Sequence, residues 1–333
     1  MLRYGEQWKT STSFSQNAVV TLPIDDQTGA GKAITWANDS RHVAIANYDI
    51  LQVWDVFARK QLGSMKFQPT SQAREYTSLA WSPDQRFIAA ATVGSAQIFE
   101  VATGKLQSSW GVGASFSQNA SWSSDSQRVV TAGGENGTAV EIHDAMTGKL
   151  LRSFGGKPAL NASQTETYIN VSLSPDNLYL AADGFDDFGD KSQPFLSIWS
   201  ISSGKQIFGT YYAIGEGEIQ LPMMLAWSPD SSRIATASNT AGVNVWDVLM
   251  ERLVLTYVGT GGPFYRLAWS PDGKYIACGD DNVIRIWDVK TGLEHFSYLG
   301  HANFIQGLSW SRVGNYIASI SNGNVRIWQP QLD

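Results

Sequence analysis

Four histidines, one cysteine and one dense run of acids are the residues with which this sequence could do chemistry. The acids crowd together in Asp183-Gly-Phe-Asp-Asp-Phe-Gly-Asp190. Hard carboxylate oxygens at that density suit Ca²⁺, but their spacing is not the Asp-x-Asp-x-Asp-Gly pattern of a calcium loop. The other readings are a solvated acidic loop with Phe185 or Phe188 tucked onto a sheet, or a docking surface for a Lys/Arg-rich peptide. His42, His143, His295 and His301 stand without a second His at metal-ligand spacing. The lone Cys278 excludes an intramolecular disulfide and a cysteine-based zinc site. No Gly-x-Ser-x-Gly elbow mounts a serine nucleophile. Gly29-Ala-Gly-Lys-Ala33 only approaches a phosphate loop, because Asp26 takes the first Gly position and Ala33 replaces the metal-binding Ser/Thr. Neither catalytic residues nor a cofactor or metal are expected.

Composition narrows the class further. Of 333 residues, 43% are hydrophobic and only 16% charged, with 24 Lys+Arg against 30 Asp+Glu and a net charge of −6. That apolar content supports a packed core. An acidic chain without a Lys/Arg cluster is a poor partner for nucleic acid or an anionic membrane. No apolar run approaches the ~20 residues of a membrane span, and residues 1–12 lack the apolar core of a signal peptide. A soluble, cytoplasmic chain is expected.

What must position any functional residue here is a repeat. Leu267-Ala-Trp-Ser-Pro-Asp-Gly-Lys-Tyr-Ile-Ala277 followed by Ile284-Arg-Ile-Trp-Asp-Val-Lys-Thr-Gly292 recurs along the chain. The first anchor is Trp36, Trp81, Trp122, Leu173, Trp227, Trp269 and Trp310, spaced by 45, 41, 51, 54, 42 and 41 residues. The second is Val53-Trp54, Ile98-Phe99, Ile142-His143, Ile198-Trp199, Val245-Trp246, Ile286-Trp287 and Ile327-Trp328. Eleven of the 13 tryptophans sit on one anchor or the other, which makes them packing residues rather than an aromatic box for a ligand. Periods of about 40–45 residues point to propeller blades. Within each unit, short β-rich runs alternate with Ser-Pro-Asp and Thr-Gly turn signals. Each unit therefore reads as four antiparallel strands, a to d, and no helical period is present.

The paired Trp-Ser-Pro-Asp and Ile-Trp-Asp signatures resemble the WD-repeat family over residues 18–329. That resemblance implies an all-β, seven-bladed β-propeller of four-stranded antiparallel blades. It also implies ring closure. The last unit lacks strand d, and Ala18-Val-Val-Thr-Leu22 is an unpaired β-rich run that would complete it and remove the open edges. The domain reading is an N-terminal extension, 1–17, and a single propeller, 18–333. The family's Asp-His-Ser-Trp network is expected to be mostly absent, since its Gly-His pair occurs once, as Gly300-His301, and Asn322 replaces a turn Asp in the last unit.

In the family's topology the d–a and b–c loops share one face. Length varies only there: at 155–169, 209–223 and 183–195. Binding residues concentrate on loops held by a rigid scaffold. The positions four residues before the first anchor are Lys32, Thr77, Gln118, Ile169, Met223, Tyr265 and Gln306. Those six before are Ala30, Glu75, Phe116, Thr167, Leu221, Pro263 and Phe304. Both sets are expected at the channel mouth. Apolar and aromatic groups at one rim are what interfaces enrich. The expectation is a non-catalytic scaffold, a monomeric ring, that binds a protein or peptide through Lys32, Glu75, Phe116, Phe188, Met223, Tyr265, Phe304 and Gln306. The alternative is an enzyme or a small-ligand- or metal-binding propeller that uses the central channel.

Overall fold

The computed structural model describes residues 13–23, 31–47, 49–66, 76–92, 94–112, 119–133, 139–155, 165–187, 192–211, 222–238, 242–257 and 264–332. Two short strands, β1 (Ser13–Ser15) and β2 (Val20–Leu22), precede the repeats. Blade one is β3 (Gly31–Trp36), β4 (His42–Asn47), β5 (Ile50–Asp55) and β6 (Lys60–Lys66). Blade two is β7 (Tyr76–Trp81), β8 (Phe87–Thr92), β9 (Ser95–Glu100) and β10 (Leu106–Gly111). Blade three is β11 (Ala120–Trp122), β12 (Arg128–Ala132), β13 (Ala139–Asp144) and β14 (Leu150–Gly155). Blade four is β15 (Thr165–Leu173), β16 (Tyr179–Asp187), β17 (Ser192–Ser200) and β18 (Gln206–Tyr211). Blade five is β19 (Pro222–Trp227), β20 (Arg233–Ser238), β21 (Val243–Asp247) and β22 (Arg252–Tyr257). Blade six is β23 (Phe264–Trp269), β24 (Tyr275–Asp280), β25 (Val283–Asp288) and β26 (Glu294–Tyr298). Blade seven has β27 (Gly307–Trp310), β28 (Ile317–Ser321) and β29 (Asn324–Trp328) of its own. Every first strand ends on its anchor residue. No helix among the described residues is long and apolar enough to cross a membrane.

Local chemistry explains the a–b turns. In Ser82-Pro83-Asp84 the Ser82 hydroxyl donates to Asp84 at 2.5 Å and accepts the Phe87 amide at 2.9 Å. The same lock recurs at Ser174–Asp176, Ser228–Asp230 and Ser270–Asp272. The residue after each Asp takes a positive φ, which Gly273 meets without strain at 71° but Gln85, Asn177 and Ser231 meet as well, at 61–66°.

Ring closure follows the expected route. β2 pairs antiparallel with β29, Val20 opposite Ile327 and Leu22 opposite Val325. Val20 and Leu22 are buried in one cluster with Ile34, Trp36 and Trp54 of blade one and Ala318, Ile320 and Ile327 of blade seven. The three residues of β2 therefore lie in the seam that shuts the ring.

The anchors are interblade devices. Trp122 Nε1 donates to the Ala80 carbonyl at 2.9 Å, Trp227 to Ser172 at 3.1 Å and Trp269 to Ala226 at 3.0 Å. Each acceptor is the residue just before the preceding blade's anchor. His143, at a second-anchor position, is buried and stacked on Trp110 with centroids 4.5 Å apart, as a packing residue should be. Blade seven retains three members of the family's polar network. The Ser319 hydroxyl meets His301 Nε2 at 2.7 Å and accepts Trp328 Nε1–H at 3.1 Å.

One expectation fails in blade four. The stretch 183–195, read as a loop, is mostly ladder: β16 and β17 pair from Tyr179–Ser200 to Asp187–Ser192. Asp183 and Asp186 are buried rather than solvated, while Phe188 and Asp190 lie outside the described residues. Extending a hairpin satisfies backbone groups that a long loop would leave to water, and the alternating pairs of Gly and Phe fit either state in sequence.

Candidate binding face and central channel

Alternation along the first strand of each blade sets which side chains reach the channel, and that alternation is broken at one repeated position. Between Gly31 and Ala33, Tyr76 and Ser78, Tyr168 and Asn170, Pro222 and Met224, and Phe264 and Arg266 the ladder skips a residue. The skipped residues are Lys32, Thr77, Ile169, Met223 and Tyr265, all four before their anchors. A bulge inserts one unpaired residue and re-aims the side chains beyond it. Strict alternation does not anticipate it.

Next to this position, the residues three before the anchor line the channel in six of the seven blades. Ala33, Ser78, Asn119, Met224, Arg266 and Gly307 line a cavity of about 310 Å³, with Ile34, Leu79, Leu267 and Leu308 beside them. The Ser78 hydroxyl donates to Asn119 Oδ1 at 2.9 Å, and Asn119 Nδ2 reaches Met224 Sδ at 3.8 Å, linking blades two, three and five across the channel. Arg266 Nε donates to the Gln306 carbonyl of blade seven. Burial presses the Arg266 guanidinium down to about 10, still charged at neutral pH. Reading the sequence alone misses these residues. Their signal is there nonetheless: Ser, Asn, Asn170 and Arg at one register inside otherwise apolar strands.

Asn170 is the residue at this register in blade four, and it forms a buried pair with Asp183. Across the sheet, Glu166 and Asp186 stand opposite each other in the ladder. Tyr168 Oη donates to Glu166 at 2.7 Å and Tyr211 Oη to Asp186 at 3.0 Å. Burial first, then the Asp186 hydrogen bond, pushes the Tyr211 phenol up to about 12. Among the described residues no three His, Cys, Asp or Glu side chains converge as metal ligands do.

Of the eight partner-binding candidates, Phe304 and Gln306 are described in full. Phe304 is 50% exposed, three residues before β27. Gln306 is half-buried, and its side chain accepts the Asn322 amide at 2.7 Å. Lys32, Met223 and Tyr265 lie on described strands, but their side chains fall outside the described residues, as do Glu75, Phe116 and Phe188 entirely. Exposed apolar side chains also occur on the opposite face, at Phe57, Leu249 and Met250 on c–d turns and Leu178 and Val313 on a–b turns.

Comparison with known proteins agrees with this architecture. The family model described as "WD domain, G-beta repeat" matches residues 223–247, 251–288 and 293–329, which are blades five to seven. No curated protein matches. Among solved structures, a chain from "Crystal Structure of Mitotic Checkpoint Complex" superposes with a TM-score of 0.73 at 20% identity, over 98% of this chain and 96% of that one. That likeness concerns the fold. The matched repeats keep both Trp anchors, as blade one does with Trp36 and Trp54, whereas Phe99, His143 and Leu173 depart from them in blades two to four. Residues 223–329 thus match repeats of that family, and the described strands of all seven blades are built to one register.

Proposed function

We propose that the chain is a non-catalytic scaffold that docks a protein or peptide on its long-loop face at the channel mouth. The observation that supports this most is the recurrent bulge, at which Lys32, Met223 and Tyr265 share one register, each next in sequence to a cavity-lining residue, Ala33, Met224 or Arg266. Phe304 adds a half-exposed aromatic, the residue type that dominates interface hot spots. A closed ring is preorganised, so docking orders little backbone. Glu75, Phe116, Phe188 and Gln306 complete the proposed contact set. The partner is a protein rather than nucleic acid or membrane, in keeping with a net charge of −6.

The test is a quantitative pull-down that compares the wild type with Tyr265→Ala/Phe304→Ala. A partner lost from the double variant at unchanged melting temperature supports docking at the mouth. A partner retained moves the site to the short-turn face, where Leu249 and Met250 are exposed. A second reading, a small ligand in the channel, draws on the cavity beside Arg266. A thermal-shift screen with metabolites and divalent metals tests it, because a ligand that binds only the folded state raises its melting temperature saturably.

A further inference from the structure

The outermost position of blade six is held by a segment that belongs to no blade. β1 lies parallel to β26, with Ser13 opposite Phe296, Phe14 opposite Ser297 and Ser15 opposite Tyr298. The Leu299 amide donates to the Ser15 carbonyl at 2.8 Å. Among the described residues no other blade carries a fifth strand.

β26 is held firmly from its inner side. Tyr298 stacks on Trp328 with centroids 4.3 Å apart and Phe296 lies 6.0 Å from the same ring. Glu294 accepts from Arg285 Nη1 at 2.9 Å and from the Ser297 hydroxyl. A strand fixed in this way offers its outward N–H and C=O groups at little ordering cost. Unpaired sheet edges are templates for extended segments.

The pairing within the chain is short. β1 contributes three residues in a parallel ladder, the weaker kind, whereas β26 is five residues long. Ring closure does not depend on it, because β2 has its own partner in β29. We propose that the outer edge of β26 is a strand-acceptor site for an extended segment of a partner protein, which the chain's own Ser13–Ser15 fills when that partner is absent. The seated segment shows the backbone that fits: a proline-free extended stretch, Ser13-Phe14-Ser15 in sequence, running parallel to β26. The site lies on the outer wall of the ring and is independent of docking at the channel mouth.

The test titrates a fluorescein-labelled peptide of residues 10–17 against the full chain and against the full chain carrying Ser15→Pro. Ser15 is a residue whose backbone bonds to β26, so proline there removes a ladder donor and fixes φ, which releases β1 and leaves β2 in place. Saturable binding to the variant, about tenfold tighter than to the wild type, is expected if the edge is mostly self-occupied. Slower amide exchange at residues 296–299 should accompany it. No saturable binding to a folded variant, or equal binding to both chains, overturns the proposal. If Ser15→Pro fails to fold, Ser13→Pro is read in the same way, since Ser13 occupies the equivalent ladder position. Concentration-dependent dimerisation of the variant without peptide would make the occupant a second copy, and overturns the assignment to a partner protein.

Discussion

Asn170 and Asp183 face each other across the β15–β16 ladder, with Asn170 Nδ2 donating to Asp183 Oδ1 at 2.7 Å and neither residue reached by solvent. Each keeps one further buried oxygen, Asn170 Oδ1 and Asp183 Oδ2, to which no described protein group donates. Burial pushes the Asp183 carboxyl up to about 7. A proton held on Asp183 therefore supplies the donor that this pair of acceptors lacks.

The direction of that shift sets a pH dependence. The unfolded carboxyl titrates near ~3.9, so between that value and about 7 the folded state binds more protons. Stability is greatest below the unfolded value, falls as pH rises through the window and levels above it. Asp183→Asn presents an amide N–H₂ where the proton would sit. It should flatten this limb and raise stability at pH 8 by up to roughly 3 kcal/mol. Urea unfolding of both chains at pH 5 and pH 8 checks it, and an equal pH dependence would contradict it.

His301 should act in the opposite sense. Burial first, then Arg326, presses its imidazole down to about 4, while the unfolded side chain titrates near ~6.5. The unfolded state binds more protons in that window, so stability is present above it and is lost as pH falls through it. His301→Gln should remove this acid limb and weaken the contacts to Ser319. Thermal unfolding from pH 4 to pH 7 reads both effects.

Gly184 sits opposite the blade-four bulge, and a Cβ there would run into the Thr167 carbonyl oxygen. That obstacle is backbone and cannot swing aside. Gly184→Ala should cost about 2 kcal/mol or more, with amide exchange accelerating in β15 and β16 before the other blades. A neutral substitution would show that the bulge can relax.

Leu22 is buried in the seam between blades one and seven. Leu22→Ala should cost roughly 2–4 kcal/mol. Deleting residues 1–22 should open the ring and abolish cooperative unfolding, whereas releasing β1 alone should not. Calorimetry of the three forms separates the two strands' roles.

Much of the fold is legible because the repeat writes the same local solution seven times. Trp269, Ser270-Pro271-Asp272 and Trp287 predict their strand ends and turn within one unit, and these local rules hold wherever the unit recurs. Closure is legible too, since Val20 and Leu22 alternate as a missing fourth strand must. The candidate site is less so. The positions four before each anchor stand out as a set, but not as bulges, because a skipped residue depends on how two strands register and leaves no residue type of its own. Ser78 and Arg266, which follow such bulges, escape notice for the same reason.

By itself, the sequence determined the blade count, the strand order, the anchors and the closing strand, since these rest on local turn chemistry and apolar alternation repeated along the chain. Only the tertiary structure decided that Asp183 is a buried partner of Asn170 rather than a solvated acid, that Asn119 and Met224 meet across the channel, and that Ser13–Ser15 lies on blade six. Each of these joins residues from different strands or blades, and such meetings are set by packing and register around the whole ring.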